Sequence, residues 1–212
     1  MSDLFDSAYN NILNGNAFNL KEMLDHLIEN YESYEPTWHA LGFIHCFLAK
    51  NETGTLRLHI WKRNERHVFE QIEKIHDHLF SLKSYVLLGA IYNEVFDLEE
   101  TYNDSFEFES YTVKYLENGS QLKSTGKFYN IKKSTENKVK EGGFYTVSSD
   151  EFHRSSVIDH EYAVTLVATY GHLDKEPTTL ISQGQDIKLE RAKVYYQKDL
   201  WRDLLICFRN DL

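Results

Sequence analysis

His76-Asp77-His78 is the triplet in this chain best placed to do metal chemistry. In an extended strand, residues two apart project to the same side. Both imidazoles can therefore reach one ion, while Asp77 points to the opposite face. The chain has ten histidines, so an H-x-H pair is also compatible with packed polar side chains. The surroundings add punctuation. Gly89 stands eleven residues after His78 and reads as the close of that strand. Far downstream, Gly142 stands eleven residues before His153, with the turn-forming run Ser148-Ser149-Asp150-Glu151 between them.

This arrangement resembles the two sequence motifs of the cupin superfamily. The first has H-x-H, then a Glu, then a Gly; the second has a Gly, a turn and a third His. On that resemblance the third metal ligand is His153. The place of the Glu falls on Leu82 or Lys83, and neither can serve as a carboxylate ligand. The resemblance thus implies three histidines and no protein carboxylate. Such a set is similar to that of the cysteine dioxygenase family of thiol dioxygenases, which are three-histidine cupins. The matching stretches are Ile75-His76-Asp77-His78, residues 86 to 96, residues 145 to 154 with Tyr145 at their head, and Ala163-Val164-Thr165-Leu166. The strand ahead of the H-x-H, 58 to 61, matches as well. The likeness covers roughly residues 56 to 170.

The resemblance implies a jelly-roll barrel (the cupin double-stranded β-helix) and iron(II) held by His76, His78 and His153. It also carries a substrate side. If Trp61 faces the interior, as the matching Trp does in the family, strand alternation turns Arg57 and His59 the same way. Arg57 then offers a two-pronged donor to a substrate carboxylate, or else sits at the barrel mouth paired with a surface acid. His59 can donate to substrate or to bound oxygen, and Trp61 walls the pocket. His45 falls near the place of the family's carboxylate-binding Arg. His39, His67, His160 and His172 read as surface or loop histidines. The chain departs from the family in three places. The family's Ser-His-Tyr trio falls on Thr165, Val167 and Thr169 with a one-residue gap, or has Tyr170 at the Tyr place and still no His without it, and Lys83 stands near its cross-linking Cys. Extra residues within 62 to 74 precede the H-x-H. The substrate implied is a small thiol or an amino-acid-like compound, and these departures widen the class to another small acid.

Three neutral imidazoles leave the full charge of a divalent ion uncompensated and leave coordination positions open. With iron(II), a substrate thiolate and O2 can share them. The ion's charge lowers the pKa of a bound thiol and favours its ionised form. The same ligands suit zinc with an activated water, or nickel or manganese. Three readings follow: an iron oxygenase, a different metal-dependent cupin enzyme (isomerase, lyase or hydrolase), or a non-catalytic cupin that binds a small ligand.

The elements that must position these residues can be read from periodicity. Leu4, Ala8 and Ile12 share a helical face with Phe5 and Tyr9 beside it, and Asn14-Gly15 stops that helix. A second helix starts after Asn19, a capping residue with Glu22 three positions on, and carries Leu20, Met23, Leu24, Leu27, Ile28 and Tyr31. From Phe43 the period becomes two. Leu56, Leu58 and Ile60 alternate with Arg57, His59 and Trp61. Strands are expected over 84 to 96, 111 to 116, 127 to 131, 144 to 147 and 164 to 170, with a hairpin at Asn118-Gly119. A C-terminal helix carries Leu200, Leu204 and Phe208 on one face, beside Trp201 and Leu205. The expected layout is one domain: a helical extension over 1 to 36, a β-barrel over 43 to 170 and a helical segment over 190 to 212.

Bulk composition sets limits. The chain has 212 residues, 42% hydrophobic, with 14 Tyr, 13 Phe and only 2 Pro, which suits a β-rich core and argues against disorder. A net charge of -10 argues against nucleic-acid binding, which needs clustered Lys and Arg. Cys46 and Cys207 lie far apart, so no disulfide framework is indicated and a cytoplasmic setting is expected. The acidic, polar start of residues 1 to 11 is not expected to act as a signal peptide, and no apolar run in the sequence approaches a membrane span. The expected partners are a small-molecule substrate and O2, with the chain a monomer or homodimer.

Overall fold

Alternation along one strand divides the molecule into two environments. Leu56, Leu58 and Ile60 are fully buried on one face, while Arg57 and His59, between them, are half-buried on the other. The computed structural model describes residues 3–16, 18–61, 75–102, 105–157 and 162–211. Among them the chain forms α1 (Asp3–Asn14), α2 (Leu20–Glu29), a 3-10 turn at Tyr31–Ser33, β1 (Thr37–Trp38), β2 (Ile44–Lys50), β3 (Gly54–Trp61) and β4 (Ile75–His76). There follow β5 (Ser81–Thr101), β6 (Phe108–Leu116), β7 (Gly119–Lys140), β8 (Phe144–Val147), β9 (Phe152–Ser156) and β10 (Ala163–Tyr170). The chain ends with β11 (Thr178–Ser182), β12 (Glu190–Ala192), β13 (Val194–Tyr195) and α3 (Lys198–Asp211).

The fold is antiparallel and β-rich, with β5 as its pivot. The first half of β5 pairs with β10 and β8, and β10 continues through β3 and β2 to β1 and β13. The second half pairs with β7 and β9, and β9 continues through β4, β11 and β6 back to β7. Gly89 sits at the crossover with φ 75. A Cβ there would meet the Tyr162 carbonyl oxygen at 2.1 Å, so no other residue fits. The expectation that Gly89 ends a strand is therefore corrected: the ladder bends at Gly89 and runs on to Thr101.

The main apolar cluster lies outside the strands' cavity-facing side. Phe5, Tyr9 and Ile12 of α1, Met23, Leu24 and Leu27 of α2, and Trp201, Leu205 and Phe208 of α3 pack against Leu56, Leu58, Ile60 and Leu166. Each fully buried large apolar side chain of this kind contributes roughly 1.5–3 kcal/mol. The helices thus supply stability and leave the inner face free to carry polar groups. Local signals behave as the physics requires. Asn19 Oδ1 accepts from the Glu22 N–H at 3.2 Å, and Asn19 Nδ2 donates to Glu22 Oε2 at 3.2 Å. Lys83 Nζ donates to the Leu13 carbonyl at 3.0 Å, satisfying the last turn of α1.

Three boundaries differ from expectation. The hairpin turns at Glu117-Asn118, and its second strand starts at once at Gly119, because Leu116 pairs with Gly119. The helical segment expected over 190 to 212 begins at Lys198; residues 190–192 and 194–195 are β12 and β13, which edge the two sheets. In α3 the buried stripe is Trp201, Leu205 and Phe208, whereas Leu200 is 46% exposed. Trp201 has the larger apolar surface to hide, and its burial rotates Leu200 outward.

Candidate metal centre

The three imidazoles meet through strand register. β4 and β9 are antiparallel, and His76 stands directly opposite His153. His78 lies two residues past His76, beyond the last ladder position of β4. The ring centroids of His76 and His78 are 4.7 Å apart, those of His76 and His153 4.7 Å, and those of His78 and His153 5.0 Å. One ligand nitrogen from each ring lies within 4.8 Å of the others. Asp77 goes the other way. Its carboxylate accepts from Lys175 Nζ at 2.8 Å and from the Thr178 N–H, and its own N–H donates to the Thr178 carbonyl at 2.9 Å. This clasp holds the segment between the two ligands and takes the nearest carboxylate out of the site.

His153 is set by a neighbour. Its Nδ1 lies 2.9 Å from Asn93 Oδ1, and the Ser155 hydroxyl donates to the same oxygen at 3.3 Å. An amide oxygen only accepts, so His153 carries its proton on Nδ1 and presents the Nε2 lone pair inward. His78 Nε2 lies 2.9 Å from His153 Nε2. With the His153 proton on Nδ1, His78 Nε2–H donates to His153 Nε2. His76, His78 and His153 would together hold one divalent ion, each through a single ring nitrogen.

The electrostatics favour neutral imidazoles. Burial pushes the pKa values of His78 and His153 well below the usual histidine value, and the neighbouring His76 lowers both further. Neutral imidazole is the ligating form. Glu94, beside Asn93 on β5, is committed to Arg154 and Lys133. Among the described residues no carboxylate joins the cluster.

A cavity of about 580 Å³ opens onto the cluster. Arg57, His59, Trp61, His45 and Tyr145 all line it. Arg57 does not pair with a surface acid among the described residues; its Nε donates to the Thr55 hydroxyl at 2.9 Å, and its guanidinium lies 4.5 Å above the Phe80 ring. Phe80 stacks in turn on His78, at 5.0 Å and 16°. Burial raises the Tyr145 pKa against the opposing pull of the Ser84 and Ser155 hydroxyls, so the phenol keeps its proton. Val167 lies in the wall, and the Thr169 hydroxyl is 2.6 Å from that of Thr55, so the chain builds a threonine pair there.

Two residues were not anticipated. His39, expected as a surface or loop histidine, lies in the loop just past β1 and lines the cavity, stacked on Phe43 at 4.4 Å and accepting the Leu41 N–H at its Nδ1. The two-residue strand before it is too short for periodicity to announce. Asn93 is 2% exposed in a strand otherwise rich in Val, Leu and Ile. A polar residue in phase with Ile91 was its only trace. His172 is exposed at the cavity edge, 5.2 Å from the Phe80 ring. His67, His160 and the extra residues 62 to 74 lie outside the described residues.

No protein-family model matches the chain, and no curated protein does. Among solved structures, hydroquinone 1,2-dioxygenase from Sphingomonas sp. TTNP3 with 4-hydroxybenzoate bound aligns at 10% identity and a TM-score of 0.36. That alignment covers 58% of this chain and 62% of the dioxygenase, less than two thirds of its length. Drosophila melanogaster CENP-C bound to CAL1 aligns at 10% identity and a TM-score of 0.36, over 70% of this chain and 94% of its own. Likeness at this level leaves the chemistry of the site to its own side chains. Among the described residues no helix is long and apolar enough to cross a membrane.

Proposed function

We propose that this chain is a mononuclear metal-dependent oxygenase of the three-histidine cupin type, similar to the cysteine dioxygenases, acting with O2 on a small thiol or other small organic acid. The observation that carries the reading is the convergence of His76, His78 and His153, with no carboxylate joining them among the described residues and His153 Nε2 aimed inward by Asn93. When bound, iron(II) supplies open coordination positions and uncompensated positive charge for substrate and dioxygen. His76, His78 and His153 hold the ion. Asn93 keeps the His153 proton on Nδ1. Arg57 receives the substrate's acidic group, with the Phe80 ring fixing its approach. His59 and His45 stand in reach of the same group, Trp61 walls the cavity, and the protonated Tyr145 hydroxyl is a donor. The surrounding strands are read as a cupin jelly roll.

The test is oxygen consumption by iron-loaded protein offered a panel of small thiols and organic acids. Uptake is expected with iron, not with zinc, and not in His153→Ala. Full iron occupancy without uptake from any substrate favours an isomerase, lyase or hydrolase on the same ligands.

A further inference from the structure

The cavity has a second polar pole, away from the metal ligands. Arg57 and His59 lie two apart on one face of β3. His45 of β2 stands directly opposite His59, with ring centroids 5.4 Å apart. The Nε2 atoms of His45 and His59 are enclosed and have no hydrogen-bond partner among the described residues. Arg57 forms no ion pair among the described residues, and the one hydrogen bond it makes among them is the Nε contact to Thr55. Enclosed polar atoms without partners are costly, and a half-buried guanidinium without a counter-charge adds to that cost. Side chains held in this way are set for a ligand that brings the acceptor.

Charge gives that ligand its sign. The chain as a whole carries 33 Asp and Glu against 23 Lys and Arg. The cavity lining differs from this balance: Arg57, Arg191 and Lys193 line it, Lys193 paired with Glu35 at 4.0 Å, and among the described residues the only carboxylate in the lining is Glu117, which is exposed. The walls give the ligand its body. Phe43, Trp61, Phe80 and Tyr145 present aromatic surface, with Leu82 and Val167 between them. At about 580 Å³ the space lies in the range of sites for drug-sized ligands, above the needs of a small amino acid.

We propose that Arg57, His45 and His59 form a carboxylate subsite for an aromatic acid, whose ring lies along the aromatic walls and whose far end faces His76, His78 and His153. This names the substrate class and rests on the reading of the three-imidazole cluster as the reacting end. The carboxylate takes the guanidinium fork and the imidazole N–H donors. The flat ring stacks where an alkyl chain makes poorer contact.

Calorimetric titration of the full chain with benzoate, hexanoate and inorganic phosphate, metal-free and zinc-loaded, tests this. Benzoate is expected to bind at least tenfold more tightly than either competitor in both forms and to quench tryptophan fluorescence through Trp61. Arg57→Met is expected to weaken benzoate at least tenfold, and His45→Phe with His59→Phe at least fivefold. Phosphate or hexanoate binding as tightly as benzoate overturns the proposal, and so does no benzoate binding at all. The wild-type ranking decides even where a variant fails to fold. Missing metal uptake with benzoate binding intact counts against the metal reading alone; intact metal uptake without benzoate binding counts against the subsite alone.

Discussion

His153 Nδ1 and Asn93 Oδ1 lie 2.9 Å apart, and this contact decides which nitrogen of His153 faces the cluster. Partners of this kind typically contribute 10–100-fold to metal affinity. Asn93→Leu is therefore expected to weaken zinc binding about 10–100-fold. Asn93→Asp, which keeps an acceptor, stays near wild type. Competition titration with a chromogenic chelator measures both. Equal affinity in wild type and Asn93→Leu contradicts this role.

The buried histidines make stability depend on acid. In the folded chain burial lowers the pKa of His39, His59, His78 and His153 well below 6.5, and takes that of His45 to about 3. Toward pH 8, well above pH 6.5, these groups are neutral in both states and add little pH dependence. Below it the unfolded chain takes up protons that the folded chain refuses, so stability falls with pH until the folded-state values are reached. Each histidine that stays neutral contributes a slope of about 1.4 kcal/mol per pH unit. Urea unfolding of metal-free protein is expected to show a flat profile from pH 8 to 7 and a steep loss between 6.5 and 5.5. A profile flat to pH 5 contradicts the enclosure of these rings.

The Asp77 clasp predicts a folding defect that reaches the metal. Asp77→Ala leaves Lys175 and the Thr178 N–H without their acceptor. Lost charge-assisted bonds of this sort cost about 3 kcal/mol together. The two ligands flanking Asp77 lose their register, so metal affinity falls as well. Thermal melts and zinc titration of Asp77→Ala read the two effects. Unchanged values in both remove the clasp from the account.

Neighbouring positions on β3 separate stability from binding. Leu58 is fully buried under the helices, whereas His59 lines the cavity. Leu58→Ala is expected to cost about 2–5 kcal/mol and leave metal affinity unchanged. His59→Leu is expected to alter ligand binding with little loss of stability. Denaturant titration of the pair checks the division, and similar losses in both variants refute it.

Much of this scaffold is legible in the chain. The Asn19 and Glu22 pair marks the start of α2 because a cap needs only local atoms. The alternation over Leu56, Leu58 and Ile60 marks β3 and its two faces because a strand's period is short. The H-x-H spacing and the distant His153 anticipate a cluster because strand geometry limits where imidazoles can point. What escapes is set by non-local packing. His39 reaches the cavity from the loop just past a two-residue strand, which is too short to show a period. Asn93 matters because register brings β9 beside β5, which no local pattern encodes. Gly89 resembles a terminator until the close approach of the Tyr162 carbonyl shows it to be a bend.

The most direct test is cobalt(II) titration of the purified chain, followed by visible absorption. The account predicts one equivalent bound with the spectrum of nitrogen ligation, and none in the variant combining His76→Ala, His78→Ala and His153→Ala. A wild-type chain that takes up no ion, or a triple variant that binds as well as wild type, contradicts it.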